Sequence, residues 1–377
     1  MKNKEDNKKI KILFIITYLE LGGAQKHLLS LIKNLDRKKY FIYLCSSPDG
    51  YLREKFFRLP DLNLYFIPEL KREISFIRDF QALLKIYLYI KNNRFDIVHV
   101  HSPKASFIGR WAAYFAGVRK IVYTVHGWPF HKYMPLVYYN LFLFIEKITS
   151  KITQNIILVS QADVATGLKN KILSKGKFCL IHYGIETKSF EKAWKKRRLN
   201  QISHTIITIS SFKPQKNMFC FLEMVRLILK NKQNVKFIVL GEGPLKGEVQ
   251  NKVDSMGLSG KVILEGWVDD VADLFRDSSI FVLTSLWEGL PVSLIEAVIS
   301  GVPVVVTNTG GVFDIVIENK QGLIVEPLNA VQMSKSCLQI LNSYKDWEDK
   351  IRKNRELMNV FYWSDKRMMG LTEKFYK

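Results

Sequence analysis

The sequence predicts an α/β protein built from two doubly wound parallel sheets. Three observations predict it. Short β-branched, apolar runs recur along the whole chain, they alternate with segments of helical period, and the alternation pauses once in a basic stretch near the middle. At 377 residues the chain is too long for one ordinary core and comfortable for two. With 47% hydrophobic and 24% charged residues it is globular rather than disordered or fibrous.

The first strand is expected at residues 10–17, an almost unbroken apolar run of the kind buried on both faces of a sheet. Gly22 and Gly23 follow as a turn, and Leu28, Leu31, Ile32 and Leu35 then recur on one helical face. Further strands are expected at 41–45, 64–67, 97–101, 121–125, 156–159 and 178–181, with helices between most of them, notably 76–90 and 106–116. The second half repeats the pattern at 205–209, 235–240, 262–265, 280–283, 303–307 and 323–325. Residues 186–204 are polar and basic (Lys192, Lys195, Lys196, Arg197, Arg198) with little apolar period, so the domain boundary is placed there. This gives a first domain over 1–190 and a second over 200–360, with 360–377 able to cross back to the first through a helical stretch at 364–375. Two such domains facing each other would set the C-terminal ends of their strands on a shared cleft.

The net charge of +22 is lopsided, because residues 1–198 hold 36 Lys and Arg against 15 Asp and Glu. Two readings fit: a solvated lysine-rich face, or a face that meets a phospholipid leaflet, a diphosphate-linked acceptor or nucleic acid. No nucleic-acid reading motif or stacking platform accompanies the charge, so nucleic acid is not the expected partner. The tract 128–145 is dense in aromatics beside lysines, which suits either a membrane interface or a buried core helix. The polar N-terminal run over residues 1–9 lacks the apolar core of a signal peptide, and no stretch of 18 apolar residues exists. The expected location is therefore cytoplasmic, peripheral on the inner face of the membrane, where an anionic leaflet would meet the basic half. Cys45, Cys179, Cys220 and Cys337 lie far apart without metal-ligand spacing and read as small hydrophobes in a reducing compartment.

The segment that carries the chemistry is Ser285-Leu-Trp-Glu288-Gly-Leu290-Pro291-Val292-Ser293-Leu-Ile-Glu296-Ala, between a strand and a helix. Pro291 suits the first helical position, which leaves the N–H groups of Val292 and Ser293 free for a diphosphate. Two carboxylates at this spacing on one helix would point roughly 80° apart. With Glu288 in the turn instead, both can address the two ends of one ligand, and carboxylates accept paired hydroxyls well. A capping glutamate followed by a solvated one is the plainer alternative.

This segment resembles the E-x7-E motif of the large retaining glycosyltransferase family 4, which has the two-domain, Rossmann-like GT-B fold. Other parts follow in order over nearly the whole chain: Leu21-Gly22-Gly23-Ala24, Thr124-Val-His126-Gly127, His182-Tyr-Gly184, Phe212-Lys-Pro214-Gln-Lys216, Gly241-Glu-Gly243-Pro244, Gly266-Trp267-Val268 and Thr309-Gly310-Gly311. The resemblance implies that Glu296 holds the nucleotide ribose, Glu288 the transferred sugar and Lys216 the diphosphate. It also implies that His126 contacts the sugar near the reacting carbon, with Leu290 to Ser293 forming the donor-facing helix start. Gly22 and Gly23 would let backbone approach the donor or acceptor, and Gly241 and Gly243 would shape the nucleotide loop. The backbone of Trp267-Val268 would meet the base, although a core tryptophan is the plain alternative. Where the family usually carries an arginine, three residues before the motif proline, this chain has Ser211, which donates one hydrogen bond but brings no charge.

The implied function is transfer of a sugar from a UDP- or GDP-sugar to a lipid-linked or polysaccharide acceptor, with no cofactor and no metal beyond that co-substrate. A nucleotide-sugar 2-epimerase or a phosphorylase on the same scaffold is the competing reading, since fold alone does not assign function. His101, which ends a strand beside Ser102, is a further candidate, and His182 reads as structural support.

Overall fold

A computed structural model of the chain describes residues 9–197 and 204–376. The N-terminal lysine run up to residue 8, and Arg198 with the rest of 198–203, lie outside the described residues. The chain forms two compact units, Met1–Gly184 with Asp365–Lys377, and Ile185–Ser364.

The first unit runs β1 (Ile10–Ile15), α1 (Gly23–Asn34), β2 (Tyr40–Ser46), α2 (Arg53–Phe57), β3 (Leu62–Phe66), α3 (Phe76–Asn93), β4 (Ile97–Val100), α4 (Pro103–Phe115), β5 (Lys120–Val125), α5 (Leu136–Lys151), β6 (Asn155–Leu158), α6 (Gln161–Lys169) and β7 (Phe178–Leu180). All pairings are parallel, and the strand order is β3-β2-β1-β4-β5-β6-β7. The sheet is covered on both faces, which is why β1 is apolar at nearly every position. Alternation sends Leu13 and Ile15 into a core with Ala82, Ile86 and Ile90 of α3 and Ala105 and Ile108 of α4. Ile12 and Phe14 enter the opposite core with Leu28, Leu31 and Ile32 of α1.

The second unit runs α7 (Lys188–Lys196), β8 (Thr205–Ile209), a 3-10 turn at Pro214–Lys216, α8 (Met218–Asn231), β9 (Lys236–Leu240), α9 (Lys246–Ser255), β10 (Val262–Glu265), α10 (Ala272–Arg276), β11 (Ile280–Leu283), α11 (Val292–Ile299), β12 (Val304–Thr307), β13 (Gly322–Val325), α12 (Ala330–Asn342) and α13 (Tyr344–Lys353). Its parallel order is β10-β9-β8-β11-β12-β13, around a core that includes Phe221, Val225, Phe237 and Trp347. The last helix, α14 (Asp365–Tyr376), belongs to the first unit, where Met368, Met369 and Tyr376 join the core beside α1. The Tyr376 hydroxyl meets His99 Nδ1 of β4 at 2.7 Å.

Of the stretch 186–204, in which the domain boundary is expected, the described part up to Arg197 belongs to the second unit: the chain enters that unit at Ile185, and α7 packs there, burying Phe190 and Ala193. Arg197 is buried and donates to the carbonyls of Phe275 at 2.8 Å and Ser278 at 2.5 Å. Its guanidinium lies 3.8 Å from Glu348. The five basic residues had hidden a two-residue apolar stripe.

Candidate functional site

Strand order reverses between β8 and β11, and in doubly wound sheets ligands bind at the C-terminal edge of such a switch point. The loops leaving these two strands are joined side by side. The Leu286 N–H donates to the Gln215 carbonyl at 2.8 Å, and the Thr284 hydroxyl donates to the Lys216 carbonyl at 2.9 Å. Gln215 Nε2 donates to the Trp287 carbonyl at 2.7 Å. These bonds bring Lys216 Nζ to 2.5 Å from Glu288 Oε1, with both side chains largely buried. Lys216 can sit there because the 3-10 turn ends at Asn217 with φ +48, a left-handed conformation that asparagine tolerates.

Gly310 fixes the other side of the Glu288 turn. Its φ is +50, and a Cβ built on it would lie 1.9 Å from the Glu288 carbonyl oxygen. The next residue, Gly311, donates its N–H to the Gly289 carbonyl at 2.7 Å. Gly241 does the same for the loop after β9: at φ +144, its Cβ would strike the Ser210 carbonyl at 2.2 Å. That close approach, with Gly243 beside it, lays the β9 loop along Ser210 to Phe212 and so against Ser211. Trp267, on the loop after β10, is half-buried and rests its ring over Gly241, with Val268 beside it, so it is not a core tryptophan.

Helix α11 starts at Val292, one residue later than expected, and Pro291 is its N-cap rather than its first turn. No side chain caps it and its first turn carries no acid, so the Val292 and Ser293 N–H groups stay directed out of the helix end. Leu290 is buried beneath that end, and Glu296 is buried further along the same helix at 4% exposure. Neither motif glutamate points into bulk solvent. The second unit thus gathers Ser211, Lys216, Gly241, Gly243, Trp267, Val268, Glu288, the α11 start and Glu296 on the loops and helix that follow the C-terminal ends of β8 to β11.

Gly22, Gly23 and His126 belong to the first unit. Gly22 is the N-cap and Gly23 the first residue of α1, at the end of the loop that leaves β1, and neither a capping side chain nor a first-turn acid occupies that helix end. His126, after β5, joins a cluster of rings that the sequence does not display. Its Nε2 lies 2.9 Å from His101 Nδ1, and its Nδ1 lies 2.6 Å from the Tyr183 hydroxyl. His27 of α1 packs against His101, His126 and Tyr183. Burial holds His27 at a pKa of about 3. Burial, reinforced by neighbouring imidazoles, holds His99, His101 and His126 well below the usual histidine range. His126 is therefore a neutral ring with both nitrogens engaged. Among the described residues no group of three or more His, Cys, Asp or Glu side chains is placed to hold a metal.

Ser102, the N-cap of α4, adopts φ +64 and ψ 146, and its hydroxyl accepts from the Thr17 N–H at 3.1 Å. A non-glycine residue in that region stores about 1–3 kcal/mol, strain that clusters at functional sites. Sequence reasoning gave no role to Gln215, Tyr183 or His27. Gln215 and Tyr183 stood inside quoted motifs, whereas His27 carried no local signal, because the rings it packs against lie far away in the chain.

Comparisons with known proteins bear on both units. A family described as Glycosyltransferase Family 4 matches residues 21–189, and one described as Glycosyl transferases group 1 matches residues 189–357. The chain is 31% identical over 337 residues to the Escherichia coli UDP-Gal:alpha-D-GlcNAc-diphosphoundecaprenol alpha-1,3-galactosyltransferase, covering 86% of each. It is 25% identical to the Staphylococcus aureus capsular polysaccharide biosynthesis glycosyltransferase CapM, over 82% of this chain and 83% of that protein. In fold it is similar to Anabaena HepE in complex with UDP and glucose, with a TM-score of 0.78 at 16% identity, over 97% of this chain and 99% of the other.

Proposed function

The chain belongs to glycosyltransferase family 4 and is a GT-B glycosyltransferase, and from that premise we propose that it moves a sugar, with retention at the anomeric carbon, from a UDP-sugar to a lipid-diphosphate-linked sugar during surface polysaccharide assembly. The donor and acceptor class named for the Escherichia coli relative supports UDP over GDP, and a diphosphate-linked acceptor. No helix among the described residues is long and apolar enough to cross a membrane. On this reading the protein meets such an acceptor peripherally, at the membrane's inner face.

The observation that carries the reading is the Lys216–Glu288 ion pair beside the uncapped start of α11. An arriving donor would exchange partners with that pair. Its diphosphate would take Lys216 and the Val292 and Ser293 N–H groups, and Glu288 would accept hydroxyls of the sugar instead. Glu296, deeper on α11, would accept from the ribose. The bond between the anomeric carbon and the diphosphate oxygen then breaks, and the charge left on the diphosphate is met by Lys216 and the helix end. With Ser211 in place of the family's arginine, those groups carry it with one cation fewer. The acceptor oxygen bonds to the anomeric carbon from the same face and passes its proton to the departing phosphate. No metal or cofactor enters this scheme. The family resemblance assigns His126, held neutral and oriented by His101 and Tyr183, to the sugar.

The test is release of UDP that depends on acceptor. Glu288→Ala and Lys216→Ala should each lower kcat/KM by about 10²–10³, the usual cost of one preorganised electrostatic group. Unchanged turnover in both variants would overturn the assignment.

A further inference from the structure

Helix α5 is apolar on two faces. Inward, Tyr139, Phe142 and Leu143 pack partly buried against the core, and its one acid, Glu146, is buried against Arg110 of α4 at 2.9 Å. Val137, Leu141 and Phe144, spaced four and three residues apart, instead form a stripe on the outer face, with Val137 76% exposed. Helix α3 repeats the arrangement: Ala82, Ile86 and Ile90 face the core, whereas Ile77, Phe80 and Leu84 lie outside, Ile77 at 74%. Helix α4 packs between them, tied to α3 by Lys104–Asp79 at 2.6 Å and to α5 by Arg110–Glu146. The acids of both outer helices are thus engaged by α4. Exposed cations remain beside the apolar stripes, Arg78 and Lys91 on α3 and Lys132 and Lys151 at the two ends of α5.

Apolar stripes rimmed by cations on a soluble-sized unit mark an interaction surface. We propose that the outer face of α3, α4 and α5 is the surface by which the protein lies on an anionic phospholipid leaflet, its apolar side chains in the acyl boundary and its cations on the headgroups. Charge selects this occupant over a second copy of the chain, because residues 76–151, from α3 to α5, carry 11 Lys and Arg against three Asp and Glu, and two such faces would repel. The proposal gives the lipid-linked acceptor of the proposed function a place to be met, and rests on that reading for its purpose only.

The test is cosedimentation of the full chain with vesicles of equal parts phosphatidylglycerol and phosphatidylethanolamine, and with pure phosphatidylcholine. Wild type should bind the anionic vesicles far more tightly and lose them as salt rises. Ile77→Glu/Leu84→Glu and Leu141→Glu/Phe144→Glu should each weaken binding on the order of 100-fold, since each removes two buried apolar side chains. Both should keep the wild-type melting temperature and full transfer to a water-soluble acceptor, while transfer to an acceptor embedded in vesicles falls. Vesicle binding unaltered in both variants overturns the proposal. So does wild-type self-association that the same substitutions abolish, which would make this face a dimer interface. Loss of vesicle binding without transfer to any acceptor would leave the surface standing and remove the transferase substrate reading instead.

Discussion

The Glu288 carboxylate owes its position to residues that contribute no chemistry. Gly310→Ala must move the turn, because both its φ of +50 and the 1.9 Å approach to the Glu288 carbonyl exclude a side chain. We expect it to destabilise the fold by about 1–3 kcal/mol and to lower kcat/KM together with it, read by urea unfolding and UDP release. An alanine variant as stable and active as wild type would show that the turn is not constrained in this way. Tyr183→Phe leaves His126 Nδ1 without its 2.6 Å partner. The expected cost is about 1–3 kcal/mol, measured by the same unfolding experiment, and a neutral result would mean the ring is satisfied elsewhere. The motif made Glu288 and Lys216 visible one at a time. Their pairing was not visible, because it joins residues 72 apart through loops whose proximity depends on strand order.

At the scale of elements, α5 docks on α4 through a buried charge pair, beside the partly buried Tyr139, Phe142 and Leu143. Arg110 is fully buried, meets both Glu146 oxygens at 2.9 and 3.0 Å, and stacks over Tyr123 with its guanidinium 4.3 Å from the ring centre. Arg110→Met should cost about 3–5 kcal/mol, because it strands a carboxylate in the core. Arg110→Met/Glu146→Leu should recover most of that loss in guanidinium unfolding. If the double variant is as unstable as the single, packing rather than charge holds the helix. The aromatic tract 128–145 left two readings open, and the structure divides them. Trp128 and Phe130 are core residues, whereas Val137, Leu141 and Phe144 are outside. Periodicity identifies an apolar face but not the direction in which it is turned.

For the molecule as a whole, acid should act on the first unit. His27, His99, His101 and His126 all have folded-state values below the ordinary histidine value of 6.5. The unfolded chain therefore binds protons that the native one refuses. Stability is complete above about pH 6.5 and is lost progressively as pH falls below it, toward about 3 for His27. Melting temperatures between pH 7.5 and 5 should fall accordingly, and less steeply in His27→Gln. Equal slopes for that variant and wild type would contradict the assignment. The sequence by itself determined the strands of both sheets, their alternation with helices and the acidic motif, because strands buried on both faces and glycine turns leave their mark in adjacent residues. The tertiary structure alone decided which side chains meet. The helix inside 186–204, the His101–His126–Tyr183 chain, the Lys216–Glu288 pair and the outward stripe of α5 all depend on partners brought near by the order of strands in a sheet. No local pattern encodes that order, because the energy that selects it is summed over the whole buried core.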